Sequence, residues 1–495
     1  MHSSEESRSN AGSLSSARGH QFACDLSEST PLLNYDILLC CMHFLIRKSD
    51  LLSIMRTCYA LYEGGLPLLL RTVDSHLPKL LLEMDSFLMC ISADPTRRGP
   101  MVRSFKLIYP SFFGSYDNTS HVIRTFAEVL PQLANLTALE LGGLDRWFNP
   151  DFNFESALDG LSNIQVLCLS SWSSSGNKKT VQILEHLTSP IKTLSLSLAY
   201  DHADDAYQNL FQMLSRYAPT LESIDITKAG LGPADTVYPQ LKNLRINEIF
   251  VDRISISSLL TCAPNLRVLS IDRLHGSVRH NLDRSRDDNI LAQQNHPPWH
   301  GLDEIQGDIN VFYALGLKCH VRLVGIRVSL SRDIAFRPWE CVLRDTRPSV
   351  IEMSVELTNF KVVYIPDIIP ISSRQNVTHF SFYVDFSYAR EFGTMDSAID
   401  HILLLLGSLP LEFLMLSLEW NECDSSDDSE PDTGGDTTYL FLLNLVDDHV
   451  NFIRRVAQLV PTLETMVLMI SIDAGPSATT WKVRRSAGDV EIREE

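Results

Sequence analysis

One short apolar phrase recurs along this chain from Val102 to Leu468: an apolar residue, two variable ones, an apolar residue, one variable residue and a last apolar one. It reads LTALEL at Leu136, IQVLCL at Ile164, IKTLSL at Ile191, LESIDI at Leu221, LKNLRI at Leu241 and LRVLSI at Leu266. It returns as VRLVGI at Val321, VIEMSV at Val350, VTHFSF at Val377, LEFLML at Leu411 and LETMVL at Leu463, and VRSFKL at Val102 begins the series of twelve. Successive starts lie 34, 28, 27, 30, 20, 25, 55, 29, 27, 34 and 52 residues apart. The two long gaps match two repeats, or one repeat plus an insertion. The alternation at the end of each phrase suits a strand with one buried face. One such unit cannot bury its apolar side alone and must stack on a copy of itself, so a fixed period of this size is the signature of a solenoid. Stacking gives a parallel sheet with a Leu/Ile/Val ladder inside and the variable residues on the other face.

Between phrases lie helical patterns: HVIRTFAEVLPQL, TVQILEHL, DAYQNLFQMLSRYA, ISISSLLTCA, MDSAIDHILLLLGSL and VNFIRRVAQLV. Several stop at a Pro that sets an extended entry to the next phrase, as in APTLESIDI. This alternation predicts an α/β solenoid over 101–475, a leucine-rich-repeat-like horseshoe with convex helices. The spacing of 20 residues between Leu221 and Leu241 leaves no room for a helix there. The common leucine-rich repeat carries Asn or Cys three positions after the strand. Here that slot holds Leu144, Trp172, Ala199 and Ala229, so that ladder is missing. Segments 275–301 and 421–438 read as polar loops, the second with seven acids and no Lys or Arg. Residues 476–495 read as a closing strand or hairpin over the last repeat.

Ahead of the repeats the character differs. Residues 1–29 are polar and Ser-rich, a composition expected to be disordered. Residues 30–75 are dense in Leu: Ile37, Leu38, Cys41, Met42 and Leu45 form a helical stripe. Ser49 or Asp50 would cap a second helix ended by Gly64 and Gly65, and Pro67 would open a third. A linking helix and turn are expected over 76–100. The 30–75 segment resembles an F-box. Leu33, Asp36, Ile37 and Leu38 match the family's opening, with Asn34 at its proline position; Phe44 and Leu45 match the end of its first helix. Asp50, Leu51, Arg56 and Cys58 match its second. Fungal-type F-box proteins with leucine-rich repeats have this order of parts. The resemblance implies docking on the Skp-type adaptor of a cullin ubiquitin ligase through Leu33, Ile37, Leu38, Leu45, Leu51 and Leu52, with the solenoid holding a protein target. The alternative is a repeat scaffold for protein–protein interaction whose helices are only an N-terminal cap, with no ligase link.

The net charge of −19 steers the chain away from nucleic acid and anionic membrane. Ten cysteines without a C-x-x-C pair, no secretory signal and no run of about 18 apolar residues point to a reduced cytoplasmic or nuclear protein without a membrane span. No metal-ligand, nucleophile-elbow, phosphate-loop or dinucleotide motif is present, so neither an enzyme nor a cofactor is expected. What remains is binding by the variable strand residues. Interface anchors favour Trp, Tyr and Arg, which selects Arg245, Arg327 and Tyr383 on the strands and Trp172 and Trp420 on the rim.

Overall fold

The computed structural model describes residues 34–494 apart from 76–79, 109–118, 147–153, 200–208, 233–234, 251–254, 276–281, 298, 330–335, 357–367, 387–394, 421–441, 443, 473–475 and 487–488. Leu33, the Ser-rich tail and the acidic insertion therefore lie outside the described residues. Two compact units divide the chain, Met1–Leu70 and Arg71–Glu495.

Among its described residues the smaller unit is three helices: α1 (Tyr35–Met42), α2 (Lys48–Met55) and α3 (Tyr59–Arg71). Asn34, the departure from the F-box pattern, is the N-cap of α1, its side chain accepting from Asp36 N–H at 2.9 Å. Met42, Leu51, Met55, Leu61, Leu66 and Leu70 form the core. The helix boundaries differ from expectation, because α3 runs straight through Gly64, Gly65 and Pro67. The two glycines serve close approach instead of termination. A Cβ on Gly64 would run into Leu39, and one on Gly65 into Met42 and Met55.

The larger unit contains a sixteen-stranded sheet among its described residues, with neighbours in strict chain order. Its first strands are β1 (Thr72–Ser75), β2 (Ser104–Ile108), β3 (Ala138–Gly142), β4 (Val166–Ser170) and β5 (Thr193–Ser197). Then follow β6 (Ser223–Ala229), β7 (Asn243–Phe250), β8 (Val268–His275), β9 (Leu302–Gly307) and β10 (Val321–Ser329). The last are β11 (Val350–Glu356), β12 (His379–Asp385), β13 (Phe413–Trp420), β14 (Thr465–Ile472), β15 (Pro476–Ser486) and β16 (Asp489–Glu494). Eleven of the twelve phrases fall on strands in register, Leu139 opposite Leu167, Leu167 opposite Leu194, and so on. VIEMSV is offset by two, its Ile351 rather than its Met353 standing opposite Val324 and Phe380. Pairing is parallel from β1 to β14, and β15–β16 close the edge as an antiparallel hairpin that buries Trp481 and Val483. The α/β solenoid is thus read directly from strand order.

Two strands escaped the phrase. β1 takes the last four residues of the 30–75 segment and pairs with β2. Helix Leu80–Ser92 between them is therefore a repeat helix, and its Phe87 ring lies 5.9 Å from Phe105 of β2. β9 resolves the 55-residue gap into two repeats. The expected loop 275–301 is likewise corrected, since Leu282–Asn295 is a helix. Its buried face is polar: Ser285, Arg286 and Asn289 point inward. Asn289 Nδ2 donates to Ala314 O at 2.7 Å, and its Oδ1 accepts from Ile256 N–H at 2.9 Å. Trp299 beyond it is buried, donating Nε1–H to Ala263 O at 2.8 Å. The short interval after Leu221 holds no helix among its described residues, as its length requires.

A polar ladder does join the repeats, but at the entry to the strand rather than after it. Asn135 Nδ2 donates to Pro100 O at 2.9 Å, Asn163 Nδ2 to Ala134 O at 2.8 Å and Thr220 Oγ1 to Ile191 O at 2.8 Å. Asn265 Nδ2 reaches Pro239 O at 2.9 Å and Thr462 Oγ1 reaches Leu411 O at 2.8 Å. Each donor stands immediately before the first apolar residue of its phrase and reaches the preceding copy. At about 1 kcal/mol per bond, the ladder stitches each repeat only to its neighbour.

Candidate interaction surface

Alternation places one residue of every two in the core and the other on the open face of the sheet. From β2 to β9 this open face is mainly polar, with Val166 and Val268 as apolar exceptions. Ser104, Lys106, Ala138, Glu140, Thr193, Ser195, Ser223 and Asp225 are half-buried there, with Lys106 and Glu140 paired across strands at 3.0 Å. Cys168 is among them. Burial, and after it the Glu140 charge, pushes its thiol up to about 11, so it carries no thiolate at neutral pH.

From β11 to β14 the chemistry changes. In one row across the strands Val350, His379, Phe413 and Thr465 stand side by side; in the next, Glu352, Ser381, Met415 and Val467; in the third, Ser354, Tyr383, Ser417 and Met469. The His379 and Phe413 rings stack at 5.8 Å, and Tyr383 Oη donates to Met415 Sδ at 3.3 Å. Phe413, Met415, Val467 and Met469 are only partly buried, although they belong to the face away from the core. Glu352 is half-buried between two small residues, Gly325 of β10 and Ser381 of β12. Burial raises its carboxyl above the ordinary range, and the Glu304 carboxylate adds to that. Tyr383 is raised by burial and then by Glu352.

The expected anchors do not form one site. Arg245 is exposed on β7, and Tyr383 lies five strands away on β12, about 24 Å at ordinary strand spacing. Arg327 holds the open-face register position opposite Ser354, and that row continues to Tyr383; its side chain lies outside the description. Trp172 is exposed just past β4, where its backbone N–H donates to Asp145 Oδ2 at 2.7 Å. Trp420 ends β13 at a position whose parity belongs to the core side, so it is not on the open face. The apolar residues Phe413, Met415, Val467 and Met469 were missed. The signal was legible, since the variable slots of LEFLML and LETMVL hold Phe, Met and Val where most other copies hold at least one polar residue.

In the helical unit, Leu51 belongs to the core, while Leu38, Leu45 and Leu52 are half-buried. Ile37 is 54% exposed and Ile46 is 98% exposed, and Phe44 and Tyr59 are also exposed. Leu51 thus holds the helices together and is removed from the docking set for that reason. Among the described residues no group of three or more His, Cys, Asp or Glu could hold a metal ion, and no helix is long and apolar enough to cross a membrane.

No protein-family model matches the chain, and no curated protein matches it. Among solved structures, the crystal structure of a TLR13–ssRNA13 complex aligns at 12% identity over 70% of this chain, with a TM-score of 0.24. The chain spans 58% of that protein's length. A likeness this slight carries no argument, and the solenoid rests on its own strand register.

Proposed function

We propose that this chain is a protein-recognition scaffold in which the solenoid holds a target on its open sheet face and the helical unit docks on the Skp-type adaptor of a cullin ubiquitin ligase. The chain then performs no chemistry and acts by bringing the target near the transfer machinery. The observation that supports target binding is the change of the open face from mainly polar residues to the cluster of Phe413, Met415, Val467 and Met469. Apolar side chains left on a sheet face mark a contact surface. Docking is supported by the F-box resemblance together with the exposed Ile37, Phe44, Ile46 and Tyr59 in a unit of three short helices.

The full chain, mixed with purified Skp-type adaptor, should co-elute as a stoichiometric complex. Ile46→Asp should weaken it about 30-fold or more, the loss of a central anchor. Because Ile46 is 98% exposed, its substitution leaves the helical core untouched and isolates binding from folding. A wild-type chain that does not bind the adaptor would sink the ligase reading and leave the scaffold.

A further inference from the structure

We propose that the open face of β11–β14 seats a partner segment carrying a Lys or Arg three residues from an apolar one, the cation entering beside Glu352 and the apolar side chain lying over Phe413 and Met415. The proposal rests on the reading of the solenoid as a target-binding surface and names the chemistry of the target.

The geometry sets the spacing. Glu352 is on β11 and Phe413 and Met415 are on β13, two strands apart, about 10 Å at ordinary strand separation. A segment in the polyproline-II conformation rises about 3.1 Å per residue with three residues per turn, so two anchors three residues apart lie on one face about 9 Å from each other. The slot at Glu352 is open because its cross-strand neighbours are Gly325 and Ser381. Gln306 already closes the far side of Gly325, where a Cβ would come within 2.9 Å of its Cγ. Among the described side chains no cation pairs with Glu352, and Glu304 adds a second negative charge nearby. A long basic side chain is the occupant that offsets both. The same charges argue against the other occupants. A two-fold pair of copies would bring this acidic, apolar patch against itself, and nucleic acid would bring phosphates against carboxylates.

The test presents a random dodecapeptide display library to the immobilised full chain. Enriched peptides should share a basic residue and an apolar residue three positions apart. A synthetic peptide of that sequence should bind about 10-fold more weakly to E352Q and to M415D, each a surface change that leaves the circular dichroism unaltered. It should bind S195D, on the polar part of the same face, as it binds wild type. Glu352→Lys should exchange the basic preference for an acidic one. Enriched peptides without a basic residue, or a basic peptide insensitive to E352Q, would overturn the proposal, as would self-association of the chain through this patch. Peptides lost on S195D but not on E352Q would overturn it while leaving target binding by the solenoid intact. No enrichment on any face would remove both.

Discussion

Asp345→Ala should destabilise the middle repeats by about 3–5 kcal/mol, the cost of leaving a buried charge without its partner. Asp345 and Arg286 are 7% and 8% exposed at their side chains, and the Arg286 guanidinium is paired directly with the Asp345 carboxylate. The guanidinium also donates to Tyr313 O at 2.8 Å and lies 4.7 Å above the Tyr313 ring. Lys318 reaches the same carboxylate at 2.9 Å and Arg344 at 3.6 Å, but both extend into solvent and lose little when it goes. One acid therefore ties helix Leu282–Asn295 to helix Phe336–Thr346 across the intervening repeat. Interactions in a solenoid run between neighbours, so the loss should be local. Hydrogen exchange should accelerate in Leu282–Asn295, Ile309–Leu315 and Phe336–Thr346 and stay unchanged in β2–β5. The double variant R286M/D345A should recover part of the loss, because it no longer buries a lone cation. A single variant within about 0.5 kcal/mol of wild type would show that solvent reaches the pair, contrary to the geometry.

This network also explains what could and could not be read from the residues alone. The phrase was legible because eleven of its twelve copies bury three apolar residues against equivalent ones, and periodicity reports burial of that kind. Helix Leu282–Asn295 was not, because its inward positions hold Ser285, Arg286 and Asn289, and a polar face carries no apolar stripe. Its partners, the Ala314 carbonyl and the Asp345 carboxylate, are remote in sequence and known only once the fold is formed. The entry ladder lies in plain view as Asn or Thr before six of the twelve phrases. It precedes the strand, whereas the common leucine-rich repeat carries its asparagine after the strand. On the open face, Tyr383 was selected by residue type and lies in the apolar patch, while Arg245 was selected by the same rule and stands five strands away. Residue type alone does not say which anchors share a surface; register does. In the helical unit, the leucine pattern could not separate Leu51, which the core consumes, from Ile37, which it leaves exposed.

Gly307→Val sets the repeat pattern against the backbone. The sixth position of the β9 phrase, LDEIQG, is apolar in the other copies, and Gly307 is why the copy was missed. By pattern alone, LDEIQV completes the phrase and should stabilise the repeat. The backbone predicts the opposite. Gly307 has φ +129°, a conformation side-chain-bearing residues rarely adopt, and a Cβ there would run into the Ile271 carbonyl oxygen. That oxygen cannot move away, because it accepts from Asp308 N–H at 2.8 Å while Ile271 pairs with Gly307 in the β8–β9 register. Asp308 in turn caps helix Ile309–Leu315, accepting from Asn310 N–H at 2.8 Å, so strand, turn and helix follow without a spare residue. Backbone strain alone costs about 1–3 kcal/mol, and the clash with fixed backbone adds to it. The variant should lose about 3 kcal/mol or more, and Gly307→Ala nearly as much, since the Cβ is the obstacle and not the rest of the side chain. Thermal unfolding should split into two transitions as the stack on either side of β9 uncouples. A single transition at the wild-type midpoint would mean that the apolar pattern outweighs the backbone at this position.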